Sequence, residues 1–265
     1  MNPIYFQLKN HIFAANYREQ IILLDTTNNE YFALGKKASK YILLALSYRF
    51  KFENNEYLPF DATDNNSFGY PAEINNLDQF NKYIINFLKK NFIESCISAK
   101  RKNNFAIAAV PLGLSKIEWV PTTEKKGFSS KIRFLEYIEA LLALIKIHSL
   151  IRRKGLQGLI ELLNTFKNKT SKFVNTPDHN DEIKKLCYIL DRASIVYFKK
   201  TSCLPWAATL VYLLFKRSLT CDLVIGVQTI PFYAHAWVEL YGEVLNDNPE
   251  IQERLAPIFR LSFDS

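Results

Sequence analysis

Three β-prone runs in the C-terminal third constrain the fold of this chain more than any other feature of its sequence. They are rich in Val, Ile, Leu and aromatic residues, as is typical of strands. The sequence predicts strands over residues 222–228, 234–240 and 243–247. Gly242 can supply the positive φ that a three-residue hairpin loop over 240–242 requires. The last two runs are therefore expected to pair as an antiparallel hairpin.

This three-residue loop determines which residues of the hairpin face each other. It sets Glu239 opposite Glu243 and, further along, His235 opposite Asp247. Because strand side chains alternate between faces with period two, His235 and Asp247 would share one face. A two-residue turn over 241–242 would instead put the two side chains on opposite faces.

Upstream of these strands, a cysteine stands where a helix is predicted to begin. Pro205 fits the first turn of a helix and disfavours the α conformation at Leu204, so the helix should begin within two residues of Cys203. A thiol there meets unpaired backbone N–H groups and the positive end of the helix dipole, and both lower its pKa. The same N–H groups can bind the oxyanion of a tetrahedral intermediate. The pattern therefore predicts a nucleophilic thiolate.

Cys203, His235 and Asp247 together are candidates for a Cys-His-Asp triad, in which the carboxylate orients the imidazole and the imidazole activates the thiol. Each residue alone has a plainer explanation, as a small buried thiol, a hydrogen-bonded histidine or a turn aspartate. Their combination favours catalysis. The sequence does not assign a second oxyanion donor. Trp206 and Trp237 are candidates only because they are close in sequence to Cys203 and His235.

The rest of the chain predicts a smaller β-containing part followed by a helix-rich one. Residues 50–76 are polar and rich in Asn, Pro and Gly, which predicts a loop or an insertion, and Asn76 is a plausible N-cap for the helix after it. The other predicted elements are a hairpin over 20–24 and 30–34 and helices over 37–47, 77–93, 132–153, 155–167, 181–198 and 203–217. The predicted organisation is a domain over 1–97, a linker over 98–130 and an α+β domain over 131–265.

Composition excludes several classes of protein. Four scattered cysteines without a C-x-x-C pair do not make a disulfide framework, and they form no metal-ligand spacing with the histidines. The longest apolar stretch, 135–151, is interrupted by charged residues and is too polar for a membrane span. The first residues lack a signal-peptide pattern, which predicts a cytoplasmic protein without a membrane partner. The net charge of +8 comes from short scattered clusters without a nucleic-acid-binding motif, which favours a solvated basic surface.

The order of these motifs resembles the transglutaminase-like papain-fold core: a Cys at a helix start, a strand, Ala-His-Ala-Trp-Val-Glu at 234–239, Gly242 and Asp247. More narrowly, Leu-Val-Ile-Gly-Val-Gln-Thr-Ile-Pro-Phe-Tyr-Ala-His-Ala-Trp-Val-Glu at 223–239 resembles the B proteins of lasso-peptide gene clusters, the leader peptidases of microcin maturation. This resemblance covers roughly 184–256.

The N-terminal part is similar to PqqD-like precursor-recognition domains, which are small and winged-helix-like. The similarity rests on Leu24-Asp25, a turn, Tyr31-Phe32-Ala33-Leu34, a glycine and a helix. It implies that a leader peptide binds as an added strand along the edge 30–34, packed against the helix over 77–93. The candidate leader-binding residues are Glu30, Tyr31, Phe32, Ala33, Leu34, Tyr83 and Phe87.

The resemblance implies a cysteine peptidase that removes the leader from a ribosomally made precursor peptide. Cys203 would attack the scissile carbonyl, His235 would activate the thiol and protonate the leaving amine, and Asp247 would orient the imidazole. An asparagine-synthetase-like cyclase would then close the macrolactam on the released core peptide. No cofactor is implied for the peptidase itself, and any ATP dependence would enter through the partner cyclase.

Two other functions use the same residues. A transglutaminase-like acyltransferase would form the same acyl-enzyme and pass the acyl group to an amine instead of water. A non-catalytic scaffold would bind the precursor peptide through the same surfaces without chemistry at Cys203.

Overall fold

The structure, a computed structural model, describes residues 3–60, 74, 76–97, 105–106, 112–114, 131–167, 180–197, 202–245 and 247–262. The chain divides into two compact units. The N-terminal unit comprises Met1–Asp25 and Glu30–Ile107, and the C-terminal unit comprises Thr26–Asn29 and Ala108–Ser265. Each unit has helices, β-sheet and a hydrophobic core of its own, which makes the chain an α+β protein.

The N-terminal unit contains two four-stranded sheets and two helices. Its elements are β1 (Ile4–Leu8), β2 (Ile12–Tyr17), β3 (Gln20–Asp25), β4 (Glu30–Ala33), α1 (Lys36–Ser47), β5 (Arg49–Glu53), β6 (Glu56–Phe60), α2 (Leu77–Lys89), β7 (Ile93–Cys96) and β8 (Phe105–Ala106). One sheet has the strand order β6-β5-β1-β7 and the other β4-β3-β2-β8. All pairs are antiparallel except β2 with β8.

The predicted hairpin and helices of this unit are present. Strands β3 and β4 pair antiparallel around the turn that follows Asp25, with Leu23 opposite Phe32. The side chain of Asn76 caps α2 by accepting a hydrogen bond of 2.8 Å from the backbone N–H of Gln79. Strand β4 lies at the edge of its sheet. Among the strands that the structure describes, only β3 pairs with it.

Two predictions for this unit are wrong. Residues 50–60 of the predicted 50–76 loop form most of the hairpin of β5 and β6, whose turn residues Asn54 and Asn55 have φ of 51° and 65°. Paired positive φ values at Asn are typical of a tight hairpin, so these residues connect strands instead of marking a long loop. Residues 61–73 lie outside the described residues. Helix α2 ends at Lys89 and not at 93, because Asn91 turns at φ 58° into β7.

The C-terminal unit packs helices against one antiparallel sheet. Its elements are α3 (Phe134–Lys167), α4 (Asn180–Val196), α5 (Cys203–Lys216), β9 (Asp222–Thr229), β10 (Phe232–Leu240), β11 (Glu243–Leu245), α6 (Ile251–Arg254) and β12 (Ala256–Leu261), with the strand order β11-β10-β9-β12. Gly155 interrupts α3 with φ 62° and ψ −160°, at the break predicted between two helices. The predicted linker 98–130 lies largely outside the described residues.

Two features of this sheet determine what surrounds its centre. Helix α5 packs against β10 and β9. Gly226 lies on β9, opposite the strand that carries Trp237. An added Cβ at Gly226 would lie 2.6 Å from the indole ring of Trp237, so this close approach requires glycine. The indole Nε1 of Trp237 donates a 2.7 Å hydrogen bond to Glu239, whose other oxygen accepts one of 2.7 Å from Arg260. The position of Trp237 is thus fixed by packing of its six-membered ring against Gly226 and by the hydrogen bond of its Nε1 to Glu239.

No helix in the described parts of the chain combines the length and apolar character needed to cross a membrane. Among the same residues, no cluster of His, Cys, Asp and Glu side chains is arranged to bind a metal ion.

Candidate active site

The hairpin of β10 and β11 has a different register from the predicted one. Tyr241 and Gly242 have φ of 52° and 82° and form a two-residue turn, so Leu240 pairs with Glu243 and Glu239 with Val244. The prediction of a three-residue loop is therefore wrong. The observed register avoids placing the carboxylates of Glu239 and Glu243 directly opposite each other, which is unfavourable for like charges.

His235 and Asp247 nevertheless contact each other. The ladder between β10 and β11 ends at the pair Val238–Leu245, so Asp247 lies past its end and does not follow the alternation of the strand. Its Oδ2 lies 2.6 Å from Nε2 of His235, and its Oδ1 accepts a 2.8 Å hydrogen bond from the backbone N–H of Asn248. Both carboxylate oxygens thus have donors, and the histidine is held through Nε2.

Cys203 is the first residue of α5, as the position of Pro205 in the first turn predicts. Burial raises the pKa of its thiol, but a hydrogen bond and the charge of His235 lower it, as do hydrogen bonds from the backbone N–H groups of Ala236 and Leu204. The net effect is a pKa below the ordinary value of a cysteine. The start of α5 and the edge of β10 together favour the thiolate.

The imidazole of His235 shows the complementary shift. The side chain is 2% exposed, and this burial lowers its pKa. Hydrogen bonds and charges from Asp247 and Cys203 outweigh burial and raise the pKa to about 9. Both shifts therefore favour an imidazolium beside a thiolate over the neutral pair. The charged pair can attack a carbonyl carbon and then protonate a leaving amine.

Sequence reasoning missed one polar side chain of this site. The hydroxyl of Tyr233 lies 3.2 Å from Nδ1 of His235, and the two rings stack with centroids 5.8 Å apart and an interplanar angle of 18°. The available signal was its position two residues before the histidine on one strand, which places both side chains on the same face. Trp237 follows on that face with its ring 6.3 Å from that of His235.

One candidate oxyanion donor is ruled out by its hydrogen bond. The indole N–H of Trp237 is buried and bonds to Glu239. It is therefore not directed to a substrate at Cys203. The other candidate, Trp206, lies on α5 and is 3% exposed.

The candidate leader-binding residues all lie in the N-terminal unit. Glu30, Tyr31, Phe32 and Ala33 form the edge strand β4, and Leu34 follows it. Phe32, Leu34 and Tyr83 are partly buried against the core of this unit, and Phe87 is 3% exposed. The rings of Tyr83 and Phe87 are 6.1 Å apart. The apolar candidates on β4 and α2 thus belong to one hydrophobic core, in which Phe87 is buried instead of lying on the surface.

Comparison with known proteins adds independent information on the C-terminal unit. Residues 143–260, the range that contains Cys203, His235 and Asp247, match the family model of the transglutaminase-like superfamily. A 59-residue stretch is 44% identical to the microcin J25-processing protein McjB of Escherichia coli, which covers 22% of this chain and 28% of that protein. No solved structure matches the chain significantly. The C-terminal unit is thus similar to transglutaminase-like proteins, and part of the chain is similar to a microcin-processing protein.

Proposed function

We propose that this protein is the leader peptidase of a lasso-peptide pathway. It would bind the leader of a ribosomally made precursor and cleave it off through Cys203, His235 and Asp247. The observation that carries this proposal is the hydrogen-bonded Cys-His-Asp set at a helix start, inside the range similar to transglutaminase-like proteins. The partial similarity to a microcin-processing protein supports the class of substrate.

Acylation follows from the charges at the site. The sulfur of Cys203 attacks the scissile carbonyl carbon and forms a C–S bond, while the carbonyl π electrons move onto oxygen. The backbone N–H of Leu204, already directed at the sulfur, is placed to stabilise that oxyanion. When the intermediate collapses, the C–N bond breaks and His235 gives its Nδ1 proton to the leaving amine. The leaving group is the core peptide with a free amino terminus.

Deacylation reverses the roles of the same groups. His235, now neutral, takes a proton from water, whose oxygen attacks the thioester carbon and displaces the sulfur. The leader leaves with a new carboxylate, and the thiolate–imidazolium pair is restored. Throughout both steps Asp247 keeps Nε2 protonated and fixed, so that Nδ1 is the nitrogen that exchanges protons.

The released amine defines the next partner. In the proposed pathway an asparagine-synthetase-like cyclase joins this amine to an Asp or Glu side chain of the core peptide. No cofactor is needed for thiol-dependent hydrolysis, and ATP would be used by the cyclase to activate the side-chain carboxylate.

The N-terminal unit is proposed to be a PqqD-like recognition domain that binds the leader along β4. The N–H of Leu34 donates to the backbone carbonyl of Ile21 on β3, so in an antiparallel ladder the N–H of Ala33 points away from β3, toward the outer side of β4. A peptide can add to this edge as a further strand, with Phe32 and Tyr83 on the side of the core. Holding the leader there raises the local concentration of the cleavage site.

Replacing Ala33 with proline tests this strand addition. Proline removes one outward N–H without breaking the pairing of β4 with β3, so leader affinity should fall about tenfold for one lost backbone hydrogen bond. Titration of a fluorescent leader peptide against the full chain measures the loss. Ala33→Thr keeps the N–H at the same exposed position and should bind within about twofold of the parent. Equal affinity of Ala33→Pro and the parent would exclude β4 as the binding edge.

The proposed function itself is tested by mass analysis of the full chain mixed with the precursor encoded beside its gene. Peptidase activity yields two fragments whose masses add up to the precursor plus one water. An acyltransferase, which the transglutaminase-like match also favours, yields a product that retains an added amine when a primary amine is supplied. An unchanged precursor under conditions of measured binding would contradict both enzymatic functions.

A further inference from the structure

The hydroxyl of Tyr233 is directed at the nitrogen through which His235 acts. Nε2 of this histidine is bonded to Asp247, so Nδ1 serves both Cys203 and Tyr233, which lies 3.2 Å away. The tyrosine ring is held beside the imidazole by stacking and is partly buried against Val224, Trp237 and neighbouring apolar residues. Its position is thus determined by packing on the face of β10 that carries the histidine.

The proton of this hydroxyl is available for a new acceptor once the site is charged. When Nδ1 is protonated, it can no longer accept a hydrogen bond, so Tyr233 must direct its O–H elsewhere. Burial and the negative charges of Cys203 and Asp247 raise the pKa of Tyr233 to about 12, which keeps the hydroxyl protonated. Tyr233 therefore remains a hydrogen-bond donor within reach of the reacting atoms.

We propose that Tyr233 is a further catalytic residue, whose hydroxyl donates a hydrogen bond to the oxyanion formed when Cys203 attacks a carbonyl. This hydroxyl would be the second oxyanion donor beside the backbone N–H of Leu204. The indole N–H of Trp237 is not available for that role because it is bonded to Glu239. The inference rests on the proposed function only in requiring acyl chemistry at Cys203. It does not depend on the identity of the leader.

The hydrogen bond from Tyr233 acts only while the carbonyl oxygen of the substrate carries negative charge. As the C–S bond forms, the carbonyl π electrons become a lone pair on oxygen, and the O–H of Tyr233 binds that negative charge without transferring its proton. When the oxygen re-forms the C=O bond, the leaving group departs and the hydroxyl is released. Alkylation of the same thiolate by iodoacetamide displaces iodide at a saturated carbon and creates no oxyanion. Tyr233 should therefore matter for acylation and not for alkylation.

The test compares Tyr233→Phe with the parent in the full chain, using p-nitrophenyl acetate to acylate Cys203 and iodoacetamide to alkylate it at the same neutral pH. Acylation should slow about tenfold or more, and turnover of the precursor should fall about 10²-fold with KM within about twofold, because one oxyanion donor is lost. Alkylation should stay within about twofold. Phenylalanine preserves the ring that packs against the core. Tyr241→Phe, at the exposed turn of the same hairpin, should change none of these rates.

Other outcomes separate this inference from the proposed function. Equal slowing of acylation and alkylation would show that Tyr233 acts only by positioning His235, and unchanged acylation would show that it has no role; either result overturns the inference. A parent protein that is acylated by the ester but does not cleave the precursor would refute the leader peptidase. In that case a selective loss of acylation in Tyr233→Phe would still support the oxyanion role.

Discussion

Cys203→Ala is expected to abolish leader removal while leader binding stays unchanged. The sulfur is the only atom proposed to form a covalent bond with the substrate, and removal of the nucleophile from a comparable protease triad lowers turnover by about 10⁶-fold. The proposed leader-binding residues lie in the other unit of the chain, so affinity for the leader should stay within about twofold. Mass analysis over time measures cleavage, and titration with a fluorescent leader measures binding.

A second thiol in the same unit supplies the control. Cys187 lies on α4 and is 7% exposed, so Cys187→Ala removes a buried thiol of the same size without touching the site. It should retain cleavage at a similar rate. Retained cleavage in Cys203→Ala would refute the nucleophile, and loss of leader binding in that variant would refute the division of work between the two units.

Asp247→Asn is expected to lower turnover about 10⁴-fold, the cost of losing the carboxylate in a related triad. The amide can still accept the hydrogen bond from the backbone N–H of Asn248, so the local fold is preserved. It carries no negative charge to stabilise the imidazolium of His235. Rates of precursor cleavage at saturating substrate measure the effect. Asp222→Asn removes a carboxylate that bonds to Arg260 in the same sheet, and it should keep turnover within about threefold.

The pH dependence of the same variant gives a second measurement. In the parent, the imidazolium is present below the raised pKa of His235 and is lost as pH rises through about 9, so cleavage should decline above that pH. Asp247→Asn removes the charge of one of the two groups that raise the pKa of His235, so this pKa should fall below that of the parent. The decline should therefore begin at a lower pH in Asp247→Asn. An unshifted alkaline limb would mean that another group controls it.

The start of α5 was predictable from sequence, whereas the hairpin register was not. Pro205 allows few local conformations, so it locates the first turn of the helix and with it Cys203. The turn of the hairpin depended on whether Tyr241 would join Gly242 at positive φ, and propensity disfavours that conformation for a bulky side chain. Tyr241 nevertheless adopts it, in a two-residue turn of the kind that antiparallel hairpins favour. The contact between His235 and Asp247 then arises past the end of the ladder, where pairing rules do not apply.

Strands β5 and β6 show the same limit at the level of the fold. Their sequence is polar enough to predict a loop, yet Phe50 is fully buried and stacks on Phe80 of α2 with ring centroids 5.5 Å apart. Asn81 of the same helix accepts a 2.7 Å hydrogen bond from the backbone N–H of Tyr57. These stabilising contacts join residues distant in the chain. Local composition cannot reveal them, whereas the contact of Tyr233 with His235 could have been predicted from their spacing of two residues on one strand.

The proposed chemistry at Cys203 requires β11 to be short. Two more residue pairs of the ladder would place Asp247 opposite Ala236 and engage the amide of Ala236 with another backbone, since alternate amides of β10 face that strand. That amide instead serves the sulfur of Cys203. If β11 were two residues longer, the sheet would be better paired, but the sulfur of Cys203 would lose the hydrogen bond from Ala236 and the carboxylate of Asp247 would face away from the imidazole of His235.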